Sequence, residues 1–425
     1  MESLYNRIVF HIDVNSAFLS WEAAYRLYHL GGRLDIRKIP SAISGNKEAR
    51  HGIILAKSIP AKKYGIQTGM SISDAIKKCP NLYCAPPNYG LYQKCSEAFM
   101  SILKEYSDTV EQYSIDESFV DMSGSWKLFG QSPYEVAVKL KDRINNELGF
   151  TVNIGISSNK LLAKMAGELH KPDNAETLFL NEIKDKLWPL HVSELFYVGR
   201  ATTKKLLAIG ISTIGELANA DPHMLKLMFG KHGEVIWGFA NGIDAAKIEI
   251  FVPEQKGYGN STTIAFDVVD AETAKKVLLA LSETVSRRLR ADDVKAEVIA
   301  VGVKSYDLSY KSHQMVIPTS TNITTEIYHY SCRLFDELWE GVPIRHLGIH
   351  TSRIKDGTDF RQMNLFDTYD YVKLEMLDKT IDTVRTRFGL DQIKRATFVD
   401  STIDHLSGGI SREKRSVDYK KQIIE

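Results

Sequence analysis

Apolar positions along the chain fall into two rhythms, short continuous runs and longer stretches of helical spacing, and their alternation predicts the elements. Ile8-Val9-Phe10 and Phe119-Val120 are runs of buried-strand type, and each is interrupted by acid: Asp13 in His11-Ile12-Asp13-Val14-Asn15, and the pair in Ser114-Ile115-Asp116-Glu117. Between them the spacing predicts a helix over 17–30 that stops at Gly31-Gly32, a short mixed segment to residue 87, and a helix through Ala98-Phe99. A strand over 118–122, a helix over 134–148 and a strand over 151–156 follow. With the strand over 7–13 they give a βαββαβ order, a sheet covered by helices.

The rest of the chain reads as further modules. Leu195 to Thr202, with Leu206-Leu207-Ala208-Ile209-Gly210-Ile211, predicts two helices joined around a glycine. A charged connection over 245–256 leads to a second βαββαβ series: strand 258–266, helix 272–290, strands 296–306 and 314–318, helix 325–339 and strand 344–353. Last come a helix ending near Phe388-Gly389 and a polar, mobile tail. The expectation is an α+β multidomain protein, and 425 residues allow three or four domains.

Composition narrows the compartment more than the function. Lys and Arg number 54 against 53 Asp and Glu, so any contact with nucleic acid must come from local patches. Cys79, Cys84, Cys95 and Cys332 show neither metal spacing nor a disulfide framework, which points to a reducing cytoplasm. No signal peptide or bilayer-length apolar stretch is read, and no membrane partner is expected.

The carboxylates carry the chemistry. Burying one is costly unless it is paired or binds a metal, so acids at the ends of two apolar strands are candidate ligands for hard divalent cations such as Mg²⁺. Two such ions clamp the attacking and leaving oxygens in phosphoryl transfer. An Asp-Glu pair alone is more often a solvated pair at a strand end. What shifts the balance is company: Phe18 shortly after Asp13, and the strand-turn-helix cluster Gly155-Ile156-Ser157-Ser158-Asn159-Lys160-Leu161-Leu162-Ala163-Lys164, whose lysine can meet a triphosphate as a point charge.

At these residues the chain resembles the Y-family of DNA polymerases (the ImpB/MucB/SamB family), translesion enzymes that include bacterial DNA polymerases IV and V. The match runs through Asp13-Val14-Asn15-Ser16-Ala17-Phe18, Ala61-Lys62-Lys63-Tyr64-Gly65-Ile66, Ser114-Ile115-Asp116-Glu117, Gly155 to Lys164, Lys171-Pro172, Val198-Gly199 and Arg287-Arg288-Leu289-Arg290, in the family's order. The resemblance implies a right hand with a palm (1–20 and 88–189), fingers (21–87) and a helix-hairpin-helix thumb (190–244). A linker (245–256) and a βαββαβ little finger (257–355) follow, then a C-terminal tail (356–425). It implies a monomeric DNA-directed DNA polymerase that synthesises distributively past damaged template bases.

In that frame Asp13, Asp116 and Glu117, with the carbonyl of Val14, hold two Mg²⁺ ions. Ser16, Ala17, Phe18, Lys62 and Lys160 bind the dNTP, and Phe18 gates the sugar. Val198, Gly199 and Arg200 in the thumb, and Lys304, Arg345 and Arg353 in the little finger, contact primer-template DNA. Gln362, Leu365 and Phe366, in Arg361-Gln362-Met363-Asn364-Leu365-Phe366-Asp367, resemble the motif that docks bacterial polymerases on the sliding clamp (β subunit), with apolar anchors and one directional hydrogen bond.

Three positions depart from the family pattern. Tyr197 replaces the first turn glycine of the thumb hairpin. Lys62 stands where an Arg is usual, keeping charge and losing the bidentate fork. Ile59 replaces a Tyr of the polymerase IV branch, so the branch stays open. Two other classes compete: nucleotidyl cyclases, which share the palm but lack thumb hairpin and little finger, and a catalytically inactive, polymerase-like DNA-binding accessory protein, which would have lost a metal ligand. All three carboxylates are present here.

Overall fold

The computed structural model describes residues 7–45, 52–250, 254–358 and 370–406. Strand β1 (Val9–Val14) leads at once into helix α1 (Ala17–His29). As the glycine pair predicts, Gly31 takes a φ of 68° and the chain leaves the helix there. A small three-stranded sheet follows, β2 (Ser41–Ser44), β3 (Ile54–Lys57) and β4 (Tyr83–Ala85) in the order β3-β2-β4. It carries two short helices, α2 (Ile59–Lys63) and α3 (Ile72–Lys78), begun by Ser58 and Ser71 hydroxyls that accept the Ala61 and Asp74 N–H groups. It falls within residues 21–87, where the sequence reading places the fingers.

Helix α4 (Tyr89–Tyr106) returns the chain to β1. Strands β5 (Val110–Gln112), β6 (Glu117–Asp121), β7 (Val152–Ser157) and β8 (Ala175–Thr177) complete a five-stranded sheet ordered β5-β6-β1-β7-β8. β1 is antiparallel to both β6 and β7. Phe10, Ile12 and Val14 join Phe99, Leu103, Leu140 and Ile144 of helices α4 and α5 (Pro133–Leu148) in one core.

Helix α6 (Lys160–Leu169) lies closer to the sheet than side chains normally permit. A Cβ on Gly155 would stand 1.9 Å from Ala163 O and 2.4 Å from Gly167 N, so only glycine fits there. That approach carries Lys164 of α6 to Glu117.

The thumb corrects one expectation. Only the second of the two predicted hairpin helices forms, α7 (Arg200–Ala208). The first is a 3-10 turn, Val192–Glu194, and Leu206 to Ile211 is the end of α7 and its exit through Gly210, φ 84°. Helices α8 (Ile214–Ala218), α9 (Pro222–Phe229) and α10 (Lys231–Ala240) complete the domain.

In the little finger β9 (Gly257–Val268), helix α11 (Ala271–Ala291), β10 (Val294–Ser305), β11 (Tyr310–Thr321), helix α12 (Thr324–Leu338) and β12 (Ile344–Asp356) appear in the predicted sequence. The sheet order is β11-β10-β12-β9. Ile299, Val301, Leu347 and Ile349 pack against Leu278, Leu281 and Phe335 of the helices.

A second correction concerns the tail. Helix α13 (Tyr371–Phe388) docks on α11 through ion pairs from Arg290 to Asp378 (3.1 Å) and Asp382 (2.7 Å). Glu283 takes Arg385 and Arg395, both at 2.7 Å. Phe398 and Ile403 then enter the little finger's own core, so residues 390–406 are packed rather than mobile.

Candidate active site

The register of β1 on β6 sets Asp13 directly opposite Glu117. Asp116 precedes β6 in a turn closed by Ser114, whose hydroxyl donates to Asp116 Oδ1 at 2.7 Å and accepts the Asp116 and Glu117 N–H groups at 3.3 and 3.1 Å. The turn is tied to β1 by the Val14 N–H, which donates to Asp116 O at 3.0 Å. Two sequence segments a hundred residues apart thus meet at one corner of the sheet.

Two ammonium groups balance the acids. Lys171 Nζ lies 2.6 Å from Asp13 Oδ2 and 2.5 Å from Glu168 Oε1, and Lys164 Nζ lies 2.9 Å from Glu117 Oε2. Burial dominates at Asp13 and, despite Lys171, pushes its carboxyl up to about 6. Burial also works against Glu117, but is outweighed by His11 and Lys164, and the group is held at about 2. His11 is itself buried and its basicity lowered by desolvation first of all, so the neutral ring cannot supply that charge. Its Nε2 stands 3.9 Å from Glu117 Oε2, beyond hydrogen-bond reach, which leaves Lys164 as the effective cation.

Among the described residues no three acidic, imidazole or thiol side chains converge closely enough to hold an ion as they stand. The donor chemistry nonetheless fits a hard divalent cation. Asp13, Asp116 and Glu117 offer only oxygen, and the two that are opposed across β1 and β6 each sit against a positive charge.

Helix α1 begins right beside Asp13. Ser16 turns the chain with a φ of 50° and has no side-chain cap, and the N–H groups of Ala17 and Phe18 belong to the first turn, where a helix has no acceptors of its own. Such a terminus suits a phosphate. The Phe18 ring stacks on Tyr92, centroids 4.5 Å apart and planes within 7°, with Tyr89 against its edge. It is therefore braced from behind and only half buried.

The other expected residues are more dispersed. Lys62 is exposed on α2 of the fingers. Lys160 does not reach Asp13, Asp116 or Glu117: its ammonium is held by both Glu111 oxygens at 2.7 Å. Lys164 and Lys171, absent from the sequence-based site, occupy the place expected of Lys160. Their only sequence signal is membership of the stretches Gly155 to Lys164 and Lys171-Pro172.

In the thumb, Tyr197 adopts the left-handed conformation of the glycine it replaces, φ 74°, and lays its ring against Phe196 and Phe239. Val198 is corrected to an anchor, since its side chain is buried and its N–H is spent on Leu195 O. Gly199 and Arg200 open helix α7 on the surface.

On the little finger, side chains alternate across the sheet, so the partners of the core-facing residues form the uncovered face. Registers align Ser312, Gly302, Gly348 and Ser261 in one row across all four strands. Lys304 and His346 form the next row. This row has no local sequence signature, because it exists only through strand register, and the Tyr310 ring lies over it at Gly302. Arg345 falls at the β12 irregularity, and Arg353 is exposed with a φ of 50°. Gln362, Leu365 and Phe366 lie outside the described residues.

Comparison with known proteins agrees along most of the length. The impB/mucB/samB family model matches residues 12–168, and the model of that family's C-terminal domain matches 255–365. The DNA polymerase IV of Clostridium acetobutylicum is 45% identical over 395 residues, 93% of this chain and 99% of that protein. DNA polymerase IV 1 of Bacillus subtilis is 34% identical, covering 92% of each. Among solved structures, a chimeric Y-family DNA polymerase superposes with a TM-score of 0.68 at 20% identity, over 82% of this chain and 99% of the other.

Proposed function

The chain belongs to the impB/mucB/samB family, the Y-family of translesion DNA polymerases, and is a DNA-directed DNA polymerase; from that premise we propose how its residues carry the activity. The observation that supports the reading best is the opposition of Asp13 and Glu117 across β1 and β6, with Phe18 on the helix that follows.

Asp13, Asp116, Glu117 and the carbonyl of Val14 would hold two Mg²⁺ ions. Bound there, the ions supply concentrated positive charge to the primer 3′-hydroxyl and the reacting phosphates. The chain's residues do the positioning. The N–H of Ser16 and the first-turn N–H groups of Ala17 and Phe18 would face the outer phosphates of the dNTP, with Lys62 approaching from the fingers as a point charge. Lys171, already at the carboxylates, is placed to meet the triphosphate once its acidic partner is otherwise engaged. The braced Phe18 ring closes the space beneath the sugar, where a 2′-hydroxyl would collide with it.

Primer-template DNA would be held by backbone N–H groups of Gly199 and Arg200 and by the uncovered face of the little finger. There Lys304, Arg345 and Arg353 would supply charge to the sugar-phosphate backbone. This grip favours release after few additions. A sliding clamp bound through Gln362, Leu365 and Phe366 would offset it. The compartment is the cytoplasm, where that DNA lies.

The test is primer extension by the purified protein with Mg²⁺ and dNTPs, on an undamaged template and on one carrying an abasic site. Template-directed products on both support the reading; no extension on either removes it.

A further inference from the structure

The linker that leads from thumb to little finger is seated on the palm before it departs. At the start of α6, Asn159 Nδ2 donates to Gly242 O at 2.9 Å and the Leu161 N–H donates to Asp244 Oδ2 at 3.0 Å. Beside them Lys160 donates to both oxygens of Glu111 at 2.7 Å, and Glu111 Oε2 also accepts the Glu249 N–H at 2.7 Å. Lys160 Nζ stands a further 3.4 Å from Lys247 O. Ile248 closes the contact against Val9, Phe119 and Ala163.

This ion pair is shielded, its side chains only 14% and 15% exposed. A carboxylate so placed, on the edge strand β5 and oriented by a lysine, is a fixed acceptor for a passing backbone N–H. The consequence is a shorter tether. A free linker over 245–256 would span up to roughly 40 Å, whereas docking through residue 249 leaves a stretch of about 25 Å at full extension. Shortening a tether raises the effective concentration of what it carries.

The geometry points to Glu111 and Lys160 as positioning residues: a clasp on the palm edge that seats the linker and confines the little finger. On the reading that this chain extends primers, the clasp keeps the DNA-gripping sheet near the primer terminus. It assigns Lys160 to the linker rather than to the triphosphate.

The test measures distance before activity. Ketone-reactive spin labels on p-acetylphenylalanine introduced at positions 139 of α5 and 276 of α11 report the palm to little-finger separation in the full chain without DNA. Glu111→Gln weakens the clasp, and Asp244→Ala removes an independent part of it. Thermal melts establish that each variant is folded. Both should broaden the distance distribution, and each should weaken primer-template binding by about 5-fold with dNTP KM at saturating DNA unchanged within about 2-fold. Unchanged distance distributions in both folded variants overturn the clasp. A raised dNTP KM with unchanged distances returns the Lys160 pair to the triphosphate. Because the distances are read without DNA, failure of the polymerase reading leaves this measurement intact.

Discussion

Asp13 and Glu117 face each other across two adjacent strands, yet burial lifts the first carboxyl to about 6 while the second is held at about 2. The pair therefore carries one firmly ionised oxygen donor and one that gives up its proton near neutrality. Each has its own lysine, and the difference follows the deeper burial of Asp13, whose desolvation outweighs its cation.

Removing one carboxylate should abolish chemistry and spare binding. Asp116→Asn or Glu117→Gln is expected to lower single-nucleotide incorporation by more than about 10³-fold, because charge stabilisation at the transition state is lost. Primer-template affinity, measured by anisotropy, should stay within a few fold, since on the proposed reading thumb and little finger would make those contacts. Near wild-type incorporation by Asp116→Asn would sink the ligand assignment.

Asp13 makes stability depend on pH. Its folded value of about 6 lies above the unfolded carboxyl, so from about pH 4 to 6 the folded protein keeps a proton that the unfolded chain has released. Stability from this group is fully present below that window and is lost as pH rises through it. Its size is on the order of 2–3 kcal/mol for a side chain so largely buried. Glu117 acts in the opposite sense at lower pH, its contribution being lost as pH falls toward about 2. In metal-free buffer Asp13→Asn should gain on the wild type as pH rises from 4 and level off above 6. A pH-independent difference between their melts would contradict this.

Phe18→Ala should raise ribonucleotide incorporation relative to deoxyribonucleotide by on the order of 10²-fold or more, as removal of a steric clash requires. The ring's stack on Tyr92 also predicts a loss of about 1–2 kcal/mol in folding stability for this half-buried side chain. If sugar discrimination is unchanged while stability falls, Phe18 is a core aromatic only.

Replacing Gln362, Leu365 and Phe366 together with Ala should leave synthesis on short primers intact and remove the gain in product length conferred by a loaded clamp. Tethering converts rebinding into an intramolecular event, which is why a weak motif has a large effect. Full clamp stimulation of the triple variant would place the docking site elsewhere.

The parts legible in the sequence were those with local signals. Periodicity located the little finger's six elements to within a few residues at most ends, and the acids interrupting apolar runs marked Asp13, Asp116 and Glu117. Lys171 at Asp13 and Lys160 at Glu111 were not legible, because each pair joins residues far apart in the chain and depends on the closeness of α6 to Gly155. Tyr197 misled in another way. Its side chain speaks against a left-handed turn, but the rings of Phe196 and Phe239 support one. The polar composition beyond residue 389 likewise hid Phe398 and Ile403, two apolar residues that suffice to pin the segment down.

The docked C-terminal helix has a consequence for anyone shortening this chain. Cutting after Asp367 looks harmless on composition, since it retains every polymerase motif. It would strip Arg385 and Arg395 from Glu283, whose side chain is 4% exposed, and Asp378 and Asp382 from Arg290. A stranded buried charge costs several kcal/mol, so the trimmed enzyme would keep its catalytic centre and lose the soundness of its C-terminal βαββαβ domain.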